Sequence, residues 1–351
     1  MLADVALVGF GNVARRFVRL LDERRELLEN DYDLVCRVTG IATRRHGATY
    51  NPDGLDAVLA ATVVESGGSL TDFARRATDV PAKSSTTVIE ALAHSAAPLR
   101  VMIETTTLDI GAGQPAIDHV MQALQADCHV VTANKGPAAF AFRELSEIAE
   151  QRDLAFLFEG AVMDGVPIFN LVRDTMPAVG ILGFRGVVNS TTNHILSALE
   201  DGEPYDAALA RMQAMGIAEA DPSLDVDGWD AAAKAAALAN VFLDARITPH
   251  DVDRSGISPA DAGRVRAAFD QGQRVRLVAS ASRGARPRVE LVELPTSDML
   301  AGLRGMANAI ELETDTLGRI AITQLDGGLT QTAYALLTDL IAIRRRDHRH
   351  V

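Results

Sequence analysis

The chain is poor in lysine and in cysteine and has no long apolar run, and each shortage excludes something. Of 34 basic residues only three are lysine, Lys83, Lys135 and Lys234, and the rest are arginine. Positive charge is therefore carried almost everywhere by a group that stays protonated at any working pH. A lysine ammonium can be tuned by burial and can trade a proton, so the few lysines stand out. The two cysteines, Cys36 and Cys128, lie far apart in apolar strand-like runs, which points to core thiols in a reduced, cytoplasmic setting and not to a disulfide framework. No apolar stretch approaches twenty residues and the opening MLADVALVGFG has no basic leader, so neither membrane insertion nor secretion is expected. The eight histidines show no HExxH spacing and none sits with a cysteine pair, which argues against zinc. Basic patches interleaved with aromatics are missing too, and a net charge of −13 disfavours nucleic acid and anionic membranes as partners.

What is present is enough for two domains: 351 residues, 48% of them hydrophobic. Residues 3 to 8, ADVALV, read as a strand, GFGNVA as a glycine turn and RRFVRLLDERRELL as a helix. Gly9 allows the tight turn, Gly11 lets a pyrophosphate approach the backbone, and Ala14 packs helix to strand. The turn Gly9, Phe10, Gly11, Asn12 and Val13 is then a dinucleotide site; the plain alternative is a glycine turn without a ligand. A second strand, LVCRVTGIAT, ends at Thr43 before Arg44 and Arg45. An acidic residue there would bind ribose hydroxyls, whereas arginines suit a 2′-phosphate, which favours NADP. Two solvated arginines are the competing reading, and it leaves NAD open. LRVMIETTT, a helix over PAIDHVMQALQADC and the strand HVVTANK continue a βαβ alternation, so Thr105, Asn134 and Lys135 fall at the carboxyl edge of a parallel sheet, where ligands bind.

The expected fold is α/β: a Rossmann-type doubly wound parallel sheet over 1–137, completed by 315–351, plus an α+β catalytic and dimerisation domain over 138–314. In the second part AFLFEG leads into a loop with Glu159, Asp164, Gly165 and Pro167, and ILGFRGVVN precedes a helix from about Thr192. VRLVASAS, RVELVELP, NAIELET and RIAITQ alternate like antiparallel strands, a sheet that two copies could share as a homodimer. The tail RRRDHRHV reads as solvated and frayed. Between these lies GIAEADPSLDVDGWDAAAKAAALAN, whose alanine-rich run predicts a helix from Gly228 with Asp225 or Asp227 as N-cap. Asp230 and Lys234, four apart, share one helix face, and Glu219, Asp221 and Asp225 precede them. The plain alternative is a surface ion pair worth ~0.3–0.5 kcal/mol.

GFGNVA, TANKGP, FEGAVMDGVPI, NSTTNHIL and AEADPSLDVDGWDAAAK occur in an order and at intervals that resemble the homoserine dehydrogenase family, from the first strand to about Asp339. The resemblance implies an NAD(P)-dependent oxidoreductase of threonine and methionine biosynthesis that interconverts L-aspartate 4-semialdehyde and L-homoserine. It implies catalytic roles for Lys234 and Lys135, with Asp230 orienting Lys234, and substrate contacts from Glu219, Asp225, Thr191 and Ser190. It implies a monovalent cation, usually sodium, held by Glu159 and the carbonyls of Val162, Asp164 and Val166, with Gly328 facing the nicotinamide, and a homodimer. Met163 and Asp164 stand where the family usually has small residues, and Ser190 where N-G-T has glycine. Both changes would narrow or recharge the pocket, so a related small alcohol or aldehyde substrate, or a non-catalytic NADP(H)-binding paralogue, are the competing readings. The family's C-terminal regulatory module is not expected here, nor threonine feedback through it.

Overall fold

The computed structural model describes residues 1–73, 80–82, 84–214 and 221–347, so Lys83 and Glu219, the latter expected to contact substrate, lie outside the described residues. The chain divides into two compact units, Met1–Pro137 with Arg143–Phe169 and Gly328–Val351, and Ala138–Phe142 with Asn170–Gly327. The first unit thus takes in Arg143–Phe169, beyond the expected boundary at 137, and its C-terminal segment starts at Gly328, not at 315. The strand Phe156–Leu157 explains the first difference, because it pairs onto the edge of the first unit's sheet.

That sheet has seven strands, β1 (Leu2–Val8), β2 (Val35–Thr43), β3 (Gly47–Tyr50), β4 (Val80–Ala82), β5 (Leu99–Glu104), β6 (His129–Thr132) and β7 (Phe156–Leu157), in the order β4-β3-β2-β1-β5-β6-β7. From β2 to β7 neighbours run parallel, and residues 3–8 of β1 are all buried, as a strand covered on both faces must be. The sheet is not parallel throughout. β2 and β3 are joined by the three-residue turn Arg44–His46, too short for a crossover, so they form an antiparallel hairpin, and β4 pairs antiparallel with β3.

The helix Asn12–Glu23 buries Ala14, Phe17, Val18, Leu20 and Leu21, and the C-terminal helix Leu329–Asp347 packs on it through the core that holds Ala333, Leu336, Leu337, Leu340 and Ile343. Each large apolar side chain in that core contributes ~1.5–3 kcal/mol. Arg344 and Arg346 are no frayed tail, and residues 348–351 of it lie outside the described residues. Arg344 is 1% exposed and donates to Asp33 Oδ2 at 2.6 Å and to Asp33 O at 3.2 Å, while Arg346 donates to Asp153 Oδ1 at 2.7 Å. The helix continues to Asp347 because these partners hold its last turn, where cations also complement the helix dipole.

The second unit's sheet has six strands, β8 (Ile181–Val187), β9 (Asp253–Arg254), β10 (Gln273–Ser282), β11 (Arg288–Pro295), β12 (Asn308–Thr314) and β13 (Arg319–Gln324), in the order β13-β12-β8-β10-β11-β9. All pairings are antiparallel except β9 with β11. The helix Trp229–Leu243 packs against β8, β10 and β11 and buries Ala231, Ala232, Ala233, Ala235, Ala236 and Ala237. Alanines on every side let its backbone lie close to its surroundings, the pattern of a helix covered all round.

Its start corrects the expected cap. Gly228, left-handed at φ +79°, is the N-cap; a Cβ there would come within 2.6 Å of Ser255 O. Asp225 belongs to the short helix Ser223–Val226, and Asp227 caps the end of that helix. The preceding helix runs from Ser190, earlier than Thr192, to Glu200, because Asn189 Oδ1 accepts the Thr192 N–H at 2.9 Å. At its far end the fully buried pair Glu200–Arg276, 2.5 Å apart, ties it to β10. No helix of the described residues is long and apolar enough to cross a membrane.

Candidate functional site

In the first unit the chain leaves β1 through Gly9, at φ +91°, where a Cβ would come within 2.6 Å of the Thr105 carbonyl group. Only glycine fits that approach of the β1 and β5 ends, which Thr105 closes by donating its hydroxyl to Gly9 O at 3.0 Å. Gly11 is the N-cap of Asn12–Glu23, with no side chain bonded into the helix end and nothing within 4 Å of where its Cβ would stand. Exposed helix N–H groups and open space at that glycine suit a pyrophosphate, so these residues fit a dinucleotide. Phe10 is in the core and Val13 packs against it, so the groups they can turn to a ligand are backbone; Asn12 accepts from Arg15 at 2.6 Å. Arg44 and Arg45 are exposed in the β2–β3 turn.

The ends of β5 and β6 are joined by a residue the sequence analysis passed over. Glu104 is fully buried; its Oε1 accepts the Thr106 N–H at 2.8 Å and the Thr106 hydroxyl, and its Oε2 accepts the Thr132 hydroxyl at 2.9 Å. Burial pushes its carboxyl up to about 7, against the opposing pull of these hydrogen bonds. Asn134 extends the network, donating to Thr106 O at 3.0 Å and accepting the Gly136 N–H at 2.9 Å. Lys135 follows directly, half-buried at the start of the helix Lys135–Phe140. The available signal was a carboxylate ending the apolar strand LRVMIE.

The loop after β7 brings Glu159, Val162, Asp164 and Val166 into one short stretch of the first unit. Glu159 is 1% exposed and accepts the Phe169 N–H at 2.9 Å. Asp164, expected to recharge the pocket, has another task as well: its carboxylate accepts the Gly328 N–H at 3.1 Å and the Thr332 hydroxyl at 3.0 Å, capping the C-terminal helix. Gly328 is thereby fixed just ahead of that helix.

The second unit gathers Lys234, Asp230, Asp225, Thr191 and Ser190. Lys234 Nζ lies 3.0 Å from Asp230 Oδ2 and donates to Val188 O at 2.5 Å, with side chains only 12% and 16% exposed. This is no solvated surface pair. Asn189 donates from Nδ2 to Asp225 Oδ1 at 2.7 Å and to Asp230 Oδ2 at 2.9 Å, and the Thr191 hydroxyl bonds Asp225 as well. Burial, and then the charge of Asp230, raise the pKa of Asp225, while Asn189, Lys234 and Thr191 oppose the shift. Ser190 Oγ accepts from Asn308 Nδ2 at 2.7 Å. Asn189 and Asn308 were not singled out from sequence; Asn189 carried a signal, as an N-cap residue type directly before a helix.

The chain matches two family models, the homoserine dehydrogenase NAD-binding domain over residues 9–159 and the homoserine dehydrogenase domain over 167–341. An NAD(+)-dependent homoserine dehydrogenase from Pseudomonas canavaninivorans is 33% identical, covering 98% of both chains. The chain belongs to the homoserine dehydrogenase family. As a homoserine dehydrogenase it is an NAD(P)-dependent oxidoreductase of amino-acid biosynthesis. The homoserine dehydrogenase of Methanocaldococcus jannaschii is 32% identical, covering 97% of this chain and 98% of its own. A hyperthermophilic archaeal homoserine dehydrogenase mutant solved in complex with NADPH superposes with a TM-score of 0.82 at 28% identity, covering 99% and 98% of the two chains.

Proposed function

We propose that this homoserine dehydrogenase uses Lys234 as the proton donor to the substrate oxygen, with Asp230 orienting it and Lys135 as a second ammonium at the β6 end. The observation that carries the reading is the near-buried ammonium gripped between the Asp230 carboxylate and the Val188 carbonyl. A bound nicotinamide supplies or takes the hydride at the carbonyl carbon of L-aspartate 4-semialdehyde. Reduction leaves negative charge on oxygen, which a lysine ammonium stabilises and then protonates; oxidation of L-homoserine runs the same proton back. Asp225, together with Glu219, would hold the substrate ammonium, and Thr191 and Ser190 would orient its other end. Gly9 to Val13 and the helix they open would take the pyrophosphate, Thr105, Asn134 and Gly328 would line the nicotinamide end, and Arg44 and Arg45 favour NADP over NAD. A sodium ion would sit among Glu159 and the carbonyls of Val162, Asp164 and Val166, bracing that loop. The protein would work as a homodimer, supported by the exposed Leu317 and Leu325 flanking the edge strand β13; a monomer by light scattering would overturn that.

The decisive assay follows NADPH and NADH oxidation with L-aspartate 4-semialdehyde for the wild type, Lys234→Ala and Lys135→Ala. The wild type should turn over, faster with NADPH, and each variant should lose about 10²- to 10⁴-fold in kcat while remaining folded. Near-normal turnover in both variants would remove the lysines from the mechanism.

A further inference from the structure

We propose that Asn189 is a positioning residue for this reaction: one carboxamide sets the Asp225 and Asp230 carboxylates side by side and, through Asp230, aims the Lys234 ammonium. The inference rests on the reading of Lys234 as proton donor. Asn189 is 5% exposed and all its polar capacity toward the cluster is engaged. Its Oδ1 accepts the Thr192 N–H at 2.9 Å. A backbone N–H can only donate, so the amide oxygen must face the helix, and the two N–H groups of Nδ2 must face the carboxylates. They reach Asp225 Oδ1 at 2.7 Å and Asp230 Oδ2 at 2.9 Å.

Two carboxylates brought together in a poorly solvated place repel, and each favours protonation of the other. Here one neutral donor satisfies an oxygen of each, and the oxygen it takes on Asp230 is the one 3.0 Å from Lys234 Nζ. The residue before it, Val188, supplies the other bond to that ammonium through its carbonyl. Val188 and Asn189 follow directly on the end of β8, so the strand end grips Lys234 twice, once by its backbone and once through Asp230. The helix cap at Asn189 therefore does two separable things. It starts the helix Ser190–Glu200, and it sets the geometry of the charged cluster.

Separation is possible because serine and aspartate also cap helices well but neither offers the two amide N–H donors. Asn189→Ser and Asn189→Asp should keep the cap and the fold. We expect Asn189→Ser to lower kcat about 10- to 100-fold and to raise the KM for L-aspartate 4-semialdehyde, the size of loss that misplacement by about 1 Å produces, with the KM for NADPH unchanged. Asn189→Asp, which adds a third carboxylate, should be slower still. A general loosening of the fold would shift both KM values and the melting temperature together. A kcat for Asn189→Ser within twofold of wild type overturns the proposal, as does Asn189→Asp outperforming Asn189→Ser. Failure of both variants to fold also overturns it, since that assigns Asn189 to the fold alone. Lys234→Ala is measured beside them: near-normal turnover there dismisses the lysine reading, whereas a dead Lys234→Ala with a normal Asn189→Ser dismisses only the role of Asn189.

Discussion

Glu104 in the first unit and Asp230 in the second both stand in clusters at the end of a strand, yet they keep different company. Around Glu104 the partners are the Thr106 N–H and hydroxyl and the Thr132 hydroxyl, all neutral, and burial raises its carboxyl to about 7. Asp230 has a lysine ammonium at 3.0 Å and shares the Asn189 amide with Asp225. A buried acid held only by neutral donors changes charge near neutral pH and serves to fasten two strand ends. An acid 3.0 Å from an ammonium, sharing one amide with a second carboxylate, fixes instead where that ammonium stands. The contrast matches the tasks proposed above for the two units, one offering backbone and hydroxyl groups to a coenzyme, the other a proton to a substrate.

The sharpest way to break the comparison is to neutralise each acid in turn. Asp230→Asn leaves the ammonium without its ion-pair partner and should cost about 10²- to 10³-fold in kcat. Glu104→Gln keeps volume and most hydrogen bonds, and its kcat should stay within about tenfold, the effect of roughly one lost hydrogen bond. Equal losses in the two variants would mean that the acids do the same work.

The next effect is on stability. Glu104 has a folded-state pKa raised from 4.5 to about 7. The folded protein therefore binds the proton more tightly than the unfolded chain does. Its contribution is fully present below about 4.5 and is lost as pH rises through about 7, on the order of 3 kcal/mol in all. Asp225 shifts in the same direction and does so in wild type and Glu104→Gln alike, so it drops out of their difference. Denaturant unfolding at pH 5 and pH 8 should show wild type losing more stability than Glu104→Gln over that interval. Parallel losses would show that Glu104 does not titrate as its surroundings dictate.

Sequence legibility followed the range of the interaction. Gly9, Gly11 and Ala14 were readable because they stand at fixed offsets in one short strand–turn–helix stretch, and Asp230 with Lys234 because helical spacing alone puts them together. Glu104 was not, since the Thr132 hydroxyl that completes its cage comes from another strand 28 residues on. Arg344 looked like tail because its partner Asp33 is 311 residues away. The capping role of Asp164 was hidden because the Gly328 N–H it accepts lies 164 residues on. The β2–β3 hairpin escaped because a four-residue strand carries too little pattern, and Gly228 displaced the expected aspartate cap because only a left-handed residue fits beneath Ser255. Asn189 shows the mixed case: its capping was legible in type, its grip on two carboxylates only in space.

The smallest effect lies at the rim of the first unit, where the comparison predicts solvated charge in place of buried charge. Arg44 and Arg45 are exposed on a three-residue turn, so they can add to coenzyme affinity only by meeting a phosphate in water-accessible surroundings. Such a contact is worth about 1.4 kcal/mol, a tenfold change in affinity. Arg44→Ala with Arg45→Ala should raise the KM for NADPH about tenfold, leave that for NADH unchanged, and weaken in effect as salt rises. An equal rise for both coenzymes would place the arginines in general support of the turn. No change for either would leave the 2′-phosphate to be read elsewhere in the unit, and the rim would then carry no recognition at all.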